Sequence, residues 1–154
     1  MLSDAEPHGI VATLGDWSPW EDFTPATVHT APTSPGVYIF KQDSRLVYVG
    51  RAGERSGRGL KGRLTIYVSG RAPHSGLGSL ALERALQDAQ WLRERLEEVE
   101  AGHLLTVQAW SRLAVERAAL QVCWCTTSTA AAGVALERAV LDALRDEDLW
   151  NRAR

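Results

Sequence analysis

Two short runs rich in β-branched and aromatic residues constrain the fold of this chain more than any other feature. Residues 37–40 are Val-Tyr-Ile-Phe, residues 46–49 are Leu-Val-Tyr-Val, and a polar segment around Asp43 separates them. Two such runs joined by a short polar turn predict a β-hairpin. Because both faces of each run are apolar, we expect the hairpin to lie inside a sheet that is covered on both sides.

The length of the turn decides which residues of the hairpin lie opposite each other. If residues 42–44 form a three-residue loop, Tyr38 lies opposite Tyr48. A two-residue loop shifts the register by one residue and pairs Tyr38 with Val49 instead. The sequence leaves both registers open.

Helical patterns occupy most of the remaining chain. We expect helices at about residues 60–68, 79–100, 108–118 and 134–144, and a third strand at 120–127. Gly102 follows the second of these helices and fits its C-terminal cap. Residues 104–110 are also compatible with an extended conformation.

The length of 154 residues predicts one domain. Residues 1–34 are rich in Pro, Thr, Ser and Asp, and we expect them to form an irregular arm that packs on the domain by its aromatic side chains. Stacking of Trp17 and Trp20 on nucleic-acid bases is the alternative to this packing. The domain is expected to cover residues 35–154, with a helical insert at about 70–119.

Charge is distributed unevenly along the chain. The net charge of −2 and the isoelectric point of about 6.1 disfavour a nucleic-acid partner when taken alone. Residues 45–71, however, carry seven basic side chains against one acidic one, a local balance of +6. A basic surface on an otherwise acidic protein would direct a polyanion to this part of the molecule. The alternative interpretation of the same residues is a solvated basic loop without a binding role. The candidate nucleic-acid-binding residues in this stretch are Arg55, Arg58, Lys61 and Arg71.

The two cysteines, Cys123 and Cys125, lie in an apolar run. On a strand both side chains point to the same face, and a single pair with this spacing is a poor zinc site. We therefore expect two buried, reduced thiols. No apolar run approaches the ~20 residues needed to cross a bilayer, and residues 1–6 do not resemble a signal peptide. The expected location is cytoplasmic, with no membrane partner.

A set of residues spread along the chain resembles the GIY-YIG nuclease superfamily. The set consists of Gly36-Val37-Tyr38, Tyr48-Val49-Gly50, Arg63, Tyr67, Glu137 and Asn151. The two tripeptides alone are weak signals because both are common in strands, whereas the whole set in this order is a much stronger one. The resemblance covers roughly residues 34–151. It implies a small α/β (α+β) domain with a three-stranded antiparallel sheet flanked by helices, which in this chain carries the helical insert.

The resemblance also implies an activity and a cofactor. Members of the superfamily cleave DNA with one divalent metal ion, usually Mg²⁺ or Mn²⁺. By position, Tyr38 matches the tyrosine that helps to deprotonate the attacking water, Tyr48 a phenol that hydrogen-bonds around the scissile phosphate, and Arg63 the arginine that holds this phosphate. Tyr67 matches a His or Tyr one helical turn later.

The resemblance further assigns Glu137 as the metal ligand and Asn151 as a support of the site. A single carboxylate suits Mg²⁺, which accepts few protein ligands and keeps several waters. Glu83 and Glu116 lie in similar helical contexts and are alternatives for this carboxylate. A phenol with the ordinary pKa of about 10 is a poor base at neutral pH, and Arg51 could supply the positive charge that it needs.

Arginine suits the phosphate-binding role because its planar guanidinium can contact two phosphate oxygens at once. Arg58 or Lys61 could take this role instead of Arg63. The leading hypothesis is a metal-dependent endonuclease that hydrolyses DNA phosphodiester bonds, with RNA left open as a substrate. Its rival is a non-catalytic module that binds nucleic acid or a protein with the same scaffold. Specificity would come from the helical insert, from a homodimer or from a partner protein.

Overall fold

The structure is a computed structural model that describes residues 9–53, 58–103 and 105–151. Among these residues the fold is mixed α and β, as predicted, with seven helices and one antiparallel sheet of four strands, one more than expected. The strands are β1 (Glu21–Asp22), β2 (Gly36–Gln42), β3 (Arg45–Ala52) and β4 (Leu120–Thr126). The helices are α1 (Gly9–Ala12), α2 (Pro25–His29), α3 (Gly59–Val68), α4 (Gly76–Ala85), α5 (Ala89–Glu100), α6 (Val107–Ala118) and α7 (Ala130–Ala143). Within this part of the chain, no helix combines the length and apolarity needed to span a membrane.

The sheet has the strand order β1-β4-β2-β3, so β2 is a central strand and β3 lies at an edge. The expected inner position is therefore correct for β2 and wrong for β3. The additional strand β1 comes from the segment predicted to be irregular and pairs with β4. Its residues Glu21 and Asp22 are both exposed, so no alternation of buried and exposed positions marks them as a strand.

The hairpin of β2 and β3 contains a β-bulge that the sequence did not predict. The turn has two residues, and the pairs next to it include Lys41 with Leu46. One step further along, Phe40 pairs with Tyr48. Val47 is therefore an extra residue on β3, which shifts the register by one.

The bulge decides on which face of the sheet the tyrosines lie. A two-residue turn without it would pair Tyr38 with Val49 and put Tyr48 on the opposite face. With the bulge, Tyr38 pairs with Gly50, so Tyr38 and Tyr48 share one face and lie diagonal to each other. Both predicted registers are therefore wrong.

The opposite face of the sheet holds a large hydrophobic cluster. Val37 and Ile39 of β2 pack there with Val140 of α7 and with Leu144 directly after this helix, and all four are at most 1% exposed. Cys123 belongs to the same cluster, and both cysteines are free and buried, as predicted. Because burial disfavours the charged thiolate, it raises the pKa of both thiols.

The chain divides into two compact units. The first holds the sheet and consists of the described residues of Met1–Thr65 and Leu120–Arg154. The second, Ile66–Ala119, contains α4, α5 and α6, and its buried cluster is formed by Ala85, Trp91 and Ala114.

The single helix predicted at 79–100 is wrong, because the structure has α4 and α5 in its place. Asp88 begins α5, and its carboxylate accepts hydrogen bonds from the N–H groups of Gln90 and Trp91 at 3.0 and 3.2 Å. Arg117 of α6 donates to the same carboxylate at 2.8 Å. The break is thus marked by a local N-cap, and a partner from a distant part of the chain, which local helix propensity does not reveal, holds the capping carboxylate.

Threonine hydroxyls set the starts of two further helices. The Thr106 hydroxyl accepts from the N–H of Ala109 at 3.1 Å, and α6 begins directly after it. The extended alternative predicted for residues 104–110 is therefore wrong for residues 107–110, and residue 104 lies outside the described residues. Thr129 caps α7 in the same way through Ala132 at 3.0 Å, and α7 therefore begins earlier than predicted. The expected cap after α5 is confirmed, since Gly102 has φ 87°.

Candidate functional site

Tyr38 and Tyr48 form a stacked pair on one face of the sheet. Their ring centroids are 6.4 Å apart and the ring planes differ by 15°. Phe40 packs edge-on against Tyr38, with the centroids 5.6 Å apart. Tyr38 is 1% exposed and Tyr48 is 8% exposed. Both rings thus belong to the packed interior, and Tyr48 is the more accessible of the two.

Gly50 lies directly against the ring of Tyr38. A Cβ atom at Gly50 would be 2.5 Å from Cζ and 2.6 Å from Cε2 of Tyr38, and it would also overlap the hydroxyl oxygen. Glycine is required here because the phenol of one strand crosses the backbone of the next. Tyr48 and Gly50, two residues apart on β3, therefore both contact the ring of Tyr38.

Gly36 marks a second close approach, at the start of β2. A Cβ atom there would be 2.8 Å from Cδ1 of Leu60 and would overlap the carbonyl oxygen of Cys125. Gly36 and Tyr38 are two residues apart on one strand, so they share a face of the sheet. The first turn of α3 therefore approaches the sheet on the face that carries the stacked tyrosines.

Backbone contacts fix the start of α3 beside β2. The N–H groups of Leu60 and Lys61 donate to the carbonyl oxygens of Ser34 and Pro32, both at 2.9 Å. Gly59 has φ 52°, and a Cβ atom there would overlap carbonyl oxygens of the same preceding segment. The sequence interpretation missed Gly59, because a glycine in a glycine-rich basic stretch indicates a mobile loop as readily as a fixed helix start.

Helix α3 positions two of the predicted site residues one turn apart. Leu60 and Leu64 on this helix are fully buried, whereas Arg63 is exposed to solvent. Tyr67 follows one turn after Arg63 and is 4% exposed. The two residues are four apart and so share one helix face.

Three basic side chains on and just before α3 have no carboxylate partner in the described part of the chain. Among the described residues, no Asp or Glu oxygen lies within ion-pair distance of Arg58, Lys61 or Arg63. Several other arginines do have such a partner, namely Arg45, Arg51, Arg95, Arg112, Arg117 and Arg145. The positive charge at the start of α3 is thus not neutralised by a neighbouring described carboxylate and is available to an anionic ligand.

The two other predicted nucleic-acid contacts are not part of this group. Arg55 lies outside the described residues. Arg71 belongs to the second unit, where its Nε donates to Oγ of Ser69 at 3.1 Å.

Glu137 of α7 pairs with Arg51 of β3. Nε of Arg51 donates to Oε1 of Glu137 at 3.2 Å, and the two side chains are 46% and 24% exposed, respectively. The structure thus brings together the expected metal ligand and the expected supporting cation. Arg51 was expected to supply positive charge beside a tyrosine phenol. In the structure its side chain contacts the Glu137 carboxylate instead.

Glu137 fits a metal ion only as a single protein ligand. Among the described residues, no three His, Cys, Asp or Glu side chains come close enough together to form a multidentate site. A partly exposed carboxylate can still hold Mg²⁺ or Mn²⁺ whose remaining ligands are water and substrate oxygens. Of the alternative carboxylates, Glu116 pairs with Arg112 at 2.9 Å, and both Glu83 and Glu116 belong to the second unit. Only Glu137 lies in the unit that contains the stacked tyrosines.

Asn151 binds the outer edge of β3. Its Nδ2 donates to the carbonyl oxygen of Val49 at 2.6 Å, and its Oδ1 accepts from the N–H of Val49 at 3.0 Å. The N–H of Trp150 donates to the carbonyl oxygen of Val47. The side-chain amide therefore replaces a neighbouring strand and holds the residue between Tyr48 and Gly50.

The second unit contains an apolar cavity of about 330 Å³. Its lining residues are Leu82, Leu86, Leu105, Thr106, Val107 and Trp110. None of these side chains can act as a general acid, a general base or a metal ligand at neutral pH. The cavity therefore offers no chemistry of its own.

This chain has no significant match among protein-family models, curated proteins or solved structures. The resemblance to GIY-YIG nucleases accordingly stays a hypothesis that rests on the motif residues of the sequence.

Proposed function

We propose that this protein is a metal-dependent endonuclease that hydrolyses phosphodiester bonds of DNA. The observation that carries the proposal is the position of Arg58, Lys61 and Arg63, which have no described carboxylate partner. They lie on and just before α3, a helix that begins beside the face of the sheet with the stacked tyrosines. Cations that have no carboxylate partner among the described residues, near the strand that carries Tyr38, form a surface suited to a phosphate backbone.

Arg63 is the proposed phosphate-binding residue, because it is exposed and its guanidinium can contact two oxygens of one phosphate. Tyr48 is proposed to hydrogen-bond to the same phosphate. The 1% exposure of Tyr38 favours a role in which its ring orients Tyr48 and not one of direct contact with water. Asn151 is proposed to keep Tyr48 in place through the backbone of Val49.

Glu137 is the residue that would hold one Mg²⁺ or Mn²⁺ ion. Such an ion supplies a bound water of lowered pKa and positive charge near the phosphoryl oxygens. The contribution of the protein is a carboxylate on α7, close to Arg51 at the end of β3.

A cleavage assay with matched variants tests the proposal. Supercoiled plasmid and single-stranded DNA are incubated with Mg²⁺ or Mn²⁺ and with wild type, Glu137→Gln or Arg63→Gln. We expect each substitution to reduce the cleavage rate by about 10²–10³-fold, the range seen when one group that stabilises the transition state is removed. Equal unfolding temperatures would show that the variants are folded.

The chain provides close controls for both substitutions. Glu83 lies in the pentapeptide Ala-Leu-Glu-Arg-Ala, which is identical to the sequence around Glu137, so Glu83→Gln makes the same chemical change in the same local context. Arg93 is an exposed helical arginine on α5 and serves the same purpose for Arg63. Both controls should cleave like wild type. Cleavage by Glu137→Gln at the wild-type rate would refute the proposed site.

A non-catalytic binding module is the second candidate. The burial of Tyr38 and the contact of Arg51 with Glu137 favour it, because both engage groups that a nuclease would use on its substrate. For such a module, the logarithm of the DNA-binding constant would fall linearly with the logarithm of the salt concentration. Binding of this kind without metal-dependent cleavage by the wild-type protein would favour this candidate.

A further inference from the structure

The ion pair of Arg51 and Glu137 joins two groups that the proposed function assigns to different ligands. Arg51 is a cation suited to a phosphate, and Glu137 is a carboxylate suited to a metal ion. In the structure they bind each other, with Nε and Oε1 3.2 Å apart. Each group is therefore the binding partner of the other in this structure.

We propose that Arg51 couples metal binding to substrate binding by exchanging Glu137 for a phosphate of the DNA backbone. The inference rests on the proposed function. In the free protein the guanidinium neutralises the carboxylate and lowers its affinity for a divalent cation. When a phosphate draws Arg51 away, the carboxylate becomes fully available to the metal ion.

The exposure of the pair makes this exchange feasible. The Arg51 side chain is 46% exposed, so an incoming phosphate can reach the guanidinium. An ion pair in such a solvated position can change the dissociation constant of a bound metal ion by about fivefold at most. A phosphate in a bidentate contact competes well with a single hydrogen bond of this kind.

The position of Arg51 in the chain also agrees with the exchange. It is an exposed residue next to the end of β3, directly after Gly50, and the basic stretch that leads into α3 follows it in the sequence. A polyanion attracted by that stretch would bring phosphate oxygens close to Arg51. Glu137 lies on a different element, α7, so it need not move when the guanidinium leaves.

Mn²⁺ binding measures the proposed competition without reference to cleavage. Electron paramagnetic resonance gives the Mn²⁺ dissociation constant for wild type, Arg51→Gln, Glu137→Gln and Arg45→Gln. Arg45 is the matched control, because it also lies on β3 and also pairs with a carboxylate, that of Asp148 at 3.7 Å. We expect Arg51→Gln to bind Mn²⁺ more tightly than wild type, by up to about fivefold, and Arg45→Gln to bind it as wild type does.

A second measurement tests the coupling to substrate. A 20-base-pair duplex of random sequence is added with Ca²⁺, and its affinity is read by fluorescence anisotropy with and without this cation. Because coupling between two ligands is reciprocal, Ca²⁺ should tighten DNA binding by wild type and Arg45→Gln. The effect should be several times smaller in Arg51→Gln.

The outcomes separate this inference from the function on which it rests. If Glu137→Gln binds Mn²⁺ as wild type does, the metal site itself is refuted and the proposed function loses its cofactor. If Mn²⁺ binding depends on Glu137 but is unchanged or weaker in Arg51→Gln, only the coupling role of Arg51 is overturned. A purely structural ion pair would give the latter result with a lowered unfolding temperature.

Discussion

Replacing Gly50 by alanine places a methyl group inside the contact between β3 and the Tyr38 ring. The new Cβ would lie 2.5 Å from Cζ of Tyr38, about 1 Å less than an ordinary contact between carbon atoms. The ring has little room to move, since Tyr38 is 1% exposed and packs against both Tyr48 and Phe40. Either β3 or the ring must shift.

The magnitude follows from the cost of overpacking a filled interior, about 1–3 kcal/mol. We expect the upper half of that range, because the Asn151 side chain holds the outer edge of β3 at Val49 and opposes an outward movement of the strand. For a protein of this size, 1 kcal/mol corresponds to about 2–4 °C in the unfolding temperature. Gly50→Ala should therefore lower it by about 5–10 °C.

Urea unfolding followed by tryptophan fluorescence, together with thermal unfolding, measures this loss. Gly53→Ala is the control, because a Cβ at Gly53 would be 3.7 Å from Cβ of Ala130, an ordinary contact. The same Gly50→Ala substitution is also measured in a Tyr38→Val variant. There the ring is absent, so Gly50→Ala should cost less than about 0.5 kcal/mol, and the difference is the coupling between the two positions. An equal cost in both backgrounds, or a Gly50→Ala protein as stable as Gly53→Ala, would refute the packing argument.

Three further predictions concern other parts of the structure. Asn151→Ala removes both hydrogen bonds to Val49, so we expect a loss of about 1–3 kcal/mol in urea unfolding and faster hydrogen exchange of the Val49 amide. The Arg117 side chain holds the pKa of Asp88 below its usual range, so the carboxylate stabilises the fold above the unfolded-state pKa near 4 and this stability is lost as the pH falls through the lowered folded-state value. The difference in unfolding temperature between wild type and Asp88→Asn should accordingly be larger at pH 7 than at pH 2.5, and a difference independent of pH would contradict this. Burial raises the pKa of the Cys123 thiol, so iodoacetamide at pH 8 should modify Cys123 only when the protein unfolds, as mass spectrometry would show.

The sequence predicted the elements whose signals are local. The β-rich runs predicted β2, β3 and β4, and the spacing of the buried residues Leu60 and Leu64 agrees with α3. In each case the apolar pattern of the segment itself indicates which of its residues are buried. The motif contains two of the glycines at close approaches, Gly36 and Gly50, but the sequence offered no physical reason for them.

Features that depend on distant partners could not be predicted. Both faces of the hairpin are apolar, so its pattern carries no information on register, and the bulge at Val47 was missed. Arg117 holds the Asp88 carboxylate that caps α5 from a distant part of the chain, and β1 consists of two polar residues that pair with the edge of β4. The contact of Arg51 with Glu137 is of the same kind: both residues were identified, but nothing in the sequence shows that they bind each other.

The amide of Asn151 on the outer edge of β3 has a consequence for the folding of the nascent chain. Asn151 follows Val49 by 102 residues, which at about 5–20 residues per second corresponds to roughly 5–20 s of synthesis. During that time the β2–β3 hairpin can form while the N–H and C=O groups of Val49 lack their final partner. An open strand edge of this kind can pair with another nascent chain. The hairpin should therefore be most prone to self-association during translation, and binding of a chaperone to this strand would be most useful before residue 151 has been added.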